Sequence, residues 1–128
     1  MPLVQYTQSM NIQLIHNPRC SKSREALTLL QAAGLTVEVI DYLKAPLSLA
    51  DLSGLQQKLG LPAREMLRSG ENAYTELGLE NPALSDAELL AALAAHPKLL
   101  QRPIVIKAER ALIARPPERL IEWVGQAL

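Results

Sequence analysis

The period of the apolar positions changes along the chain and divides it into elements. Residues 11–16, Asn11-Ile12-Gln13-Leu14-Ile15-His16, alternate and predict a strand that Asn17-Pro18 breaks. From Ser21 to Ala33 the apolar residues Ala26, Leu27, Leu30 and Ala33 recur at helical spacing, and Gly34 stops the helix. Residues 36–43, Thr36 to Leu43, are rich in β-branched side chains and predict a second strand. Strand, helix and strand with short joins form a βαβ unit, so the two strands are expected to be parallel.

The middle of the chain reads as helical. Ser48 with Asp51 opens a helix carrying Leu49, Leu52, Leu55 and Leu59, which ends at Gly60. Pro62 starts a shorter helix through Arg68, and Tyr74 to Leu79 suggests one more turn or two. Ser85-Asp86-Ala87-Glu88 is a capping box ahead of Leu89, Leu90, Leu93 and Ala94, with an end near His96-Pro97. Strands return at Pro103–Lys107 and Ala111–Ala114, with Ala108-Glu109-Arg110 as the hairpin turn. Pro116-Pro117 opens a last helix that turns Leu120, Ile121 and Val124 inward. This order predicts an α/β fold, a mixed four-stranded sheet with flanking helices, in which residues 48–96 form an inserted helical cap.

Composition narrows the class. A chain of 128 residues is expected to make one domain, residues 11–128, and no linker composition divides it. The 13 basic and 13 acidic residues cancel, which argues against nucleic acid or an anionic membrane as partner. No apolar run approaches the ~20 residues that span a bilayer. The stretch Met1 to Met10 lacks the charged and apolar regions of a signal peptide, and residues 1–10 are expected to be disordered. One cysteine makes no internal disulfide, so a reducing cytoplasm is the expected location. Nothing in the sequence demands more than a monomer, which is the expected state. One cysteine and two distant histidines give no metal-ligand spacing, and there is neither a Gly-rich phosphate loop nor a GxSxG elbow.

That single cysteine, Cys20, stands where the first strand passes into the first helix. A lone cysteine is most often a small buried hydrophobe. The neighbourhood argues otherwise, because His16-Asn17-Pro18-Arg19-Cys20-Ser21-Lys22-Ser23-Arg24 is rich in cations. The unpaired amides of the helix start and the charges of Arg19, Lys22 and Arg24 both favour the thiolate. A free cysteine titrates at about 8.5, and such surroundings lower that value. The other polar residues have ordinary alternatives. Arg19, Lys22 and Arg24 could be solvated charges, Ser23 a helix-start residue, His16 a strand end and His96 a partner of the helix dipole. Arg68, Arg102 and Arg115 could be surface cations, as could Arg64. Arg102 and Arg115 each precede a proline, a stiff context that suits a fixed side chain.

The first strand, Cys20, the helix behind it and the terminal hairpin follow a thioredoxin-like layout. The loop Asn17 to Arg24 resembles the active-site loop of the glutaredoxin-dependent arsenate reductase family, the ArsC-like proteins, close to its YfgD-type members. So do Leu67-Arg68 followed by Tyr74-Thr75-Glu76-Leu77-Gly78-Leu79, the run His96 to Val105, and Ala114-Arg115-Pro116. The resemblance runs in order from Asn11 to about Gly125. It implies that Cys20 is the catalytic nucleophile and that Arg68, Arg102 and Arg115 bind the oxyanion substrate. It implies supporting roles for His16, which helps lower the thiol pKa, and for Ser23 and Arg24, and a cis peptide before Pro103. One departure lies in the loop. Several family members carry small uncharged residues where Ser21 and Lys22 stand, so this loop is the more basic.

The implied chemistry suits these residue types. An anionic sulfur approaches a doubly charged tetrahedral oxyanion only where cations and amide donors neutralise the oxygens. Guanidinium groups supply forked hydrogen bonds for that purpose. The resemblance implies that Cys20 forms a thiol–arsenate adduct and that glutathione, as co-substrate, displaces a second oxygen. Glutaredoxin then reduces the intermediate and arsenite leaves. No bound cofactor is implied, and one cysteine suffices because the other thiols come from outside. Two further readings stay open. One is another glutathione-dependent thiol reductase on the same scaffold. The other is a non-enzymatic binding protein like the Spx-type regulators, which touch RNA polymerase; those carry a Cys-x-x-Cys switch, and here the second position is Ser23.

Overall fold

The computed structural model describes residues 12–120 and 123. They fall into two compact units, one that runs up to Asp41 and resumes at Arg102, and one of Tyr42–Gln101. In the first unit the strands β1 (Ile12–His16), β2 (Val37–Asp41), β3 (Ile104–Lys107) and β4 (Arg110–Ile113) form one sheet in the order β2-β1-β3-β4. The helix α1 (Ser21–Ala32) joins β1 to β2, and these strands are parallel, with Leu14 opposite Val39. β3 runs antiparallel to both β1 and β4, with Leu14 opposite Val105 and Val105 opposite Leu112. This is the mixed, thioredoxin-like sheet that the order of elements predicts.

Burial of α1 against the sheet holds the unit together. Ile12, Leu14, Ala26, Leu30, Val105, Ala114, Leu120 and Trp123 form one apolar cluster. Ala26 and Leu30, four residues apart on one helix face, supply the helical side of it. β1 is a central strand, so Leu14 and Ile15, which point to opposite faces, are both buried and the strand is less alternating than its sequence. α1 ends at Ala32 with Ala33 as its C-cap, and Gly34 follows with φ +79, where a side chain would be strained.

The second unit is helical, with α2 (Leu49–Leu59), α3 (Asn72–Glu76) and α4 (Asp86–Ala95), plus single 3-10 turns at Ala63–Met66 and Pro97–Leu99. Both expected capping boxes are formed, Ser48 with Asp51 and Ser85 with Glu88. Gly60 closes α2 in the left-handed conformation, at φ +67. α4 packs on α2 and on the turn at Ala63–Met66, burying Leu52, Leu55, Met66, Leu89 and Leu93.

Three local expectations change. The helix from Pro62 to Arg68 is only the turn at Ala63–Met66, because Leu67 leaves it to pair with Leu100 in an isolated antiparallel bridge. The Arg68 amide donates to the Leu99 carbonyl at 2.7 Å, and the Gln101 amide to that of Met66 at 2.8 Å. α3 starts two residues before Tyr74 and stops before Gly78, whose φ of +67 ends it. The hairpin turn is Ala108-Glu109 alone, since Arg110 already pairs with Lys107. The last helix is under way at Arg119 and Leu120, with Leu120 buried. Ile121, Val124 and the expectation for residues 1–10 lie outside the described residues.

These contacts set the expected response to substitution. Leu14→Ala should cost about 2–5 kcal/mol, because a fully buried side chain on the central strand leaves a cavity. Ser85→Ala should cost about 1 kcal/mol through loss of the α4 cap. Urea unfolding of each variant measures both, and a Leu14→Ala midpoint equal to that of the parent would contradict the packing described.

Candidate active site

The end of β1 and the start of α1 are joined by a four-residue link, Asn17 to Cys20, and the sequence shapes it residue by residue. The Asn17 carbonyl accepts the Cys20 amide at 2.9 Å, closing a tight turn over Pro18 and Arg19. The Asn17 side-chain Oδ1 accepts the Arg19 amide at 3.0 Å, a local bond typical of asparagine in turns. Cys20 is extended, at φ −95 and ψ 123, and occupies the N-cap position of α1. The Arg24 amide donates to the Cys20 carbonyl at 3.1 Å, the first bond of the helix.

Cys20 is partly exposed and unpaired by disulfide. Its sulfur does not cap α1 with a regular side-chain hydrogen bond. Looser contacts surround it instead. Burial alone would push the thiol up, but the Ser23 and Lys22 amides, the Arg102 guanidinium and the Ser23 hydroxyl outweigh burial and lower its pKa. The donors are therefore mostly backbone groups of the first helical turn, as expected where N–H groups lack helical partners.

The source of the positive charge differs from the sequence expectation. Arg102, from the strand side of the unit, is the cation that reaches the sulfur. Of the three charges near Cys20 in sequence, two are engaged elsewhere and one is exposed. Arg24 donates from Nη1 to the Pro18 carbonyl at 2.9 Å, Lys22 pairs with Glu25 at 3.8 Å, and Arg19 is exposed. Helical geometry explains this, because side chains that follow an N-cap residue radiate around the axis while their amides converge at its start.

Arg102 stands two residues before β3, and its peptide to Pro103 is cis. The Arg115–Pro116 peptide is cis as well. Arg115 donates from Nη1 to the Arg102 carbonyl at 2.9 Å, and the Ala114 amide donates to the Pro103 carbonyl at 2.9 Å. The hairpin β3–β4 thus brings Arg115 onto the backbone of Arg102, thirteen residues away. Arg68 belongs to the second unit, where it pairs with Glu71 at 3.6 Å. Arg64 is a structural residue there, donating to the carbonyls of Leu79 and Asn81 and to the Tyr74 hydroxyl. His96 caps the C-terminal end of α4.

His16 is 6% exposed at the end of β1, and its buried Nδ1 has no hydrogen-bond partner. Desolvation lowers its pKa, against the attraction of Asp41, and the Arg24 charge lowers it further. At neutral pH it is an uncharged imidazole. Ser23 is fully buried, and its Oγ accepts the Asn17 amide at 3.4 Å. Asn17 itself, 7% exposed, was visible in the sequence only as a strand breaker. Its turn-forming chemistry was the available signal, since Asn-Pro favours turns with side-chain acceptors.

Among the described residues no group of three His, Cys, Asp or Glu side chains could hold a metal ion, and no helix is long and apolar enough to cross a membrane. The site is a half-exposed sulfur held under amide donors and an arginine. Residues 15–122 match the model of the ArsC family. An arsenate reductase of Neisseria meningitidis serogroup A is 49% identical over 110 residues, which are 85% of this chain and 94% of that protein. The uncharacterized protein YfgD of Escherichia coli K12 is 46% identical over 115 residues, covering 89% of this chain and 97% of that one. The solved structure of an arsenate reductase from Vibrio cholerae superposes with a TM-score of 0.85 at 47% identity, covering 89% of this chain and 98% of that chain. The chain belongs to the ArsC family.

The lowered thiol pKa has a consequence for stability. The unfolded chain binds a proton at Cys20 where the folded chain does not, so stability should rise with pH up to about 8.5, the free-thiol value. That gain is lost as pH falls through the lowered native value. Cys20→Ser should flatten this part of the stability profile. Urea midpoints of the two proteins across the window test it, and parallel profiles would show an unperturbed thiol.

Proposed function

We propose that this protein is an arsenate reductase in which Cys20 is the nucleophile, glutathione the co-substrate and glutaredoxin the final reductant. The convergence of the Lys22 and Ser23 amides and the Arg102 guanidinium on the Cys20 sulfur carries the reading. These groups stabilise a thiolate and offer donors to oxygens brought beside it. Similarity at nearly half of all positions to an arsenate reductase over most of the chain supports the choice of arsenate. Arg115 and Arg68 complete the oxyanion-binding set in this reading, with His16, Ser23, Arg24 and Pro103 in support.

The thiolate of Cys20 attacks arsenic and forms a sulfur–arsenic bond, and one oxygen leaves as water after protonation. The glutathione thiol displaces a second oxygen in the same way. A glutaredoxin thiol then attacks the glutathione sulfur. The two external thiols become a mixed disulfide, their electron pair passes to arsenic, and As(V) becomes As(III). Water releases arsenite and Cys20 returns as a thiolate. The lone cysteine is consistent with this balance, because both oxidised thiols belong to the co-reactants. The reaction belongs to the cytoplasm, where both reductants are maintained. Ser23 in place of a second cysteine argues against an internal redox switch of the Spx type.

The test is a coupled assay with purified protein, arsenate, glutathione, glutaredoxin and an NADPH-driven recycling system. Arsenate-dependent NADPH oxidation is expected, with Cys20→Ser inactive because serine is a far weaker nucleophile at neutral pH. Arg102→Ala should lower kcat/KM by roughly 10²–10³, the usual cost of one oxyanion donor. Undiminished turnover by Cys20→Ser would refute the mechanism.

A further inference from the structure

We propose that Asn17 is the positioning residue of the nucleophile: through its carbonyl, its side-chain oxygen and its amide it fixes the Cys20 turn and orients Ser23 beneath the sulfur. The inference rests on the reading of Cys20 as a nucleophile and deepens it. Three bonds carry it. The carbonyl of Asn17 holds the Cys20 amide at 2.9 Å, and its Oδ1 holds the Arg19 amide at 3.0 Å. Its own amide donates to Ser23 Oγ at 3.4 Å, across six residues.

The third bond links the turn to the helix. Ser23 is fully buried, so its hydroxyl has no access to water. With the Asn17 amide occupying an Oγ lone pair, the hydroxyl proton is left to point at the Cys20 sulfur, the acceptor it meets. The Arg19 bond matters because it uses the carboxamide alone. Without that side chain, the Arg19 amide loses its partner and the turn can open. The sulfur would then drift from the helix-start amides, whose contacts with it are already looser than a regular cap. Asn17 touches neither the substrate nor the reacting atoms in this account.

The readout is the rate of iodoacetamide alkylation of the full-length protein as a function of pH, which needs neither arsenate nor glutathione. The charged and titratable groups around the sulfur, His16 at the end of β1, Arg19, Lys22 and Arg24 in the loop and helix, and Arg102 before β3, stay unchanged in each variant. Asn17→Ala should move the profile upward and slow alkylation on its acid side by roughly tenfold, one pKa unit of thiolate. Asn17→Ser should recover most of the rate, because a serine hydroxyl can accept the Arg19 amide in a similar turn. A folded Asn17→Ala protein with the parent profile would overturn the proposal, as would a folded Asn17→Ser no better than Asn17→Ala. Should Asn17→Ala not fold, hydrogen exchange of the Arg19 amide in the unaltered protein decides: protection supports the clamp, and exchange at the rate of an open loop overturns it. A chain that shows the expected alkylation profiles yet leaves arsenate unreduced would fail the proposed function and keep the positioning role.

Discussion

A sulfur at the first position of a helix meets a row of amides that the helix cannot use, and the rest of the site follows from that meeting. The first turn of α1 presents the N–H groups of Lys22 and Ser23 to Cys20. No cavity or metal is needed to make an anion welcome there. What the junction requires is a chain that leaves β1, turns within four residues and enters α1 with Cys20 extended at its start. The core supplies that discipline, since Ile12 and Leu14 fix the strand and Ala26 and Leu30 fix the helix in one apolar cluster. Rigid elements on both sides leave the short link little freedom.

The second contribution comes from the far end of the chain. Arg102 approaches the sulfur from the segment that leads into β3, the strand that pairs beside β1. Arg115 donates to the Arg102 carbonyl, so one arginine steadies the backbone from which another reaches. Guanidinium groups serve both uses, because each presents several donors in a plane. The neutral, buried His16 adds no positive charge to this arrangement.

Secondary structure was largely legible where its causes are local. The capping boxes at Ser48 and Ser85 and the stops at Gly34 and Gly60 act within a few residues, and the structure contains all four. The departures occur where a distant partner intervenes. Leu67 leaves the helical path for Leu100, and the hairpin tightens to Ala108-Glu109 because Lys107 pairs with Arg110. At the site, Cys20 and Ser23 were legible from one loop, whereas the structural work of Asn17 lay in bonds to backbone groups; the same holds for Arg64 within the second unit.

By itself, the sequence determined that one cysteine would sit at a helix start between parallel strands, because periodicity, turn residues and caps are short-range properties. It also made an internal disulfide impossible. Only the tertiary structure decided which cation serves the sulfur. Arg19, Lys22 and Arg24 are nearest along the chain, yet helical geometry turns Lys22 and Arg24 to other partners and Arg19 is exposed. Arg102 is about eighty residues away and becomes a neighbour only because β3 pairs antiparallel to β1. Distance in space follows sheet register and core packing, which are settled by contacts between segments that no local pattern records.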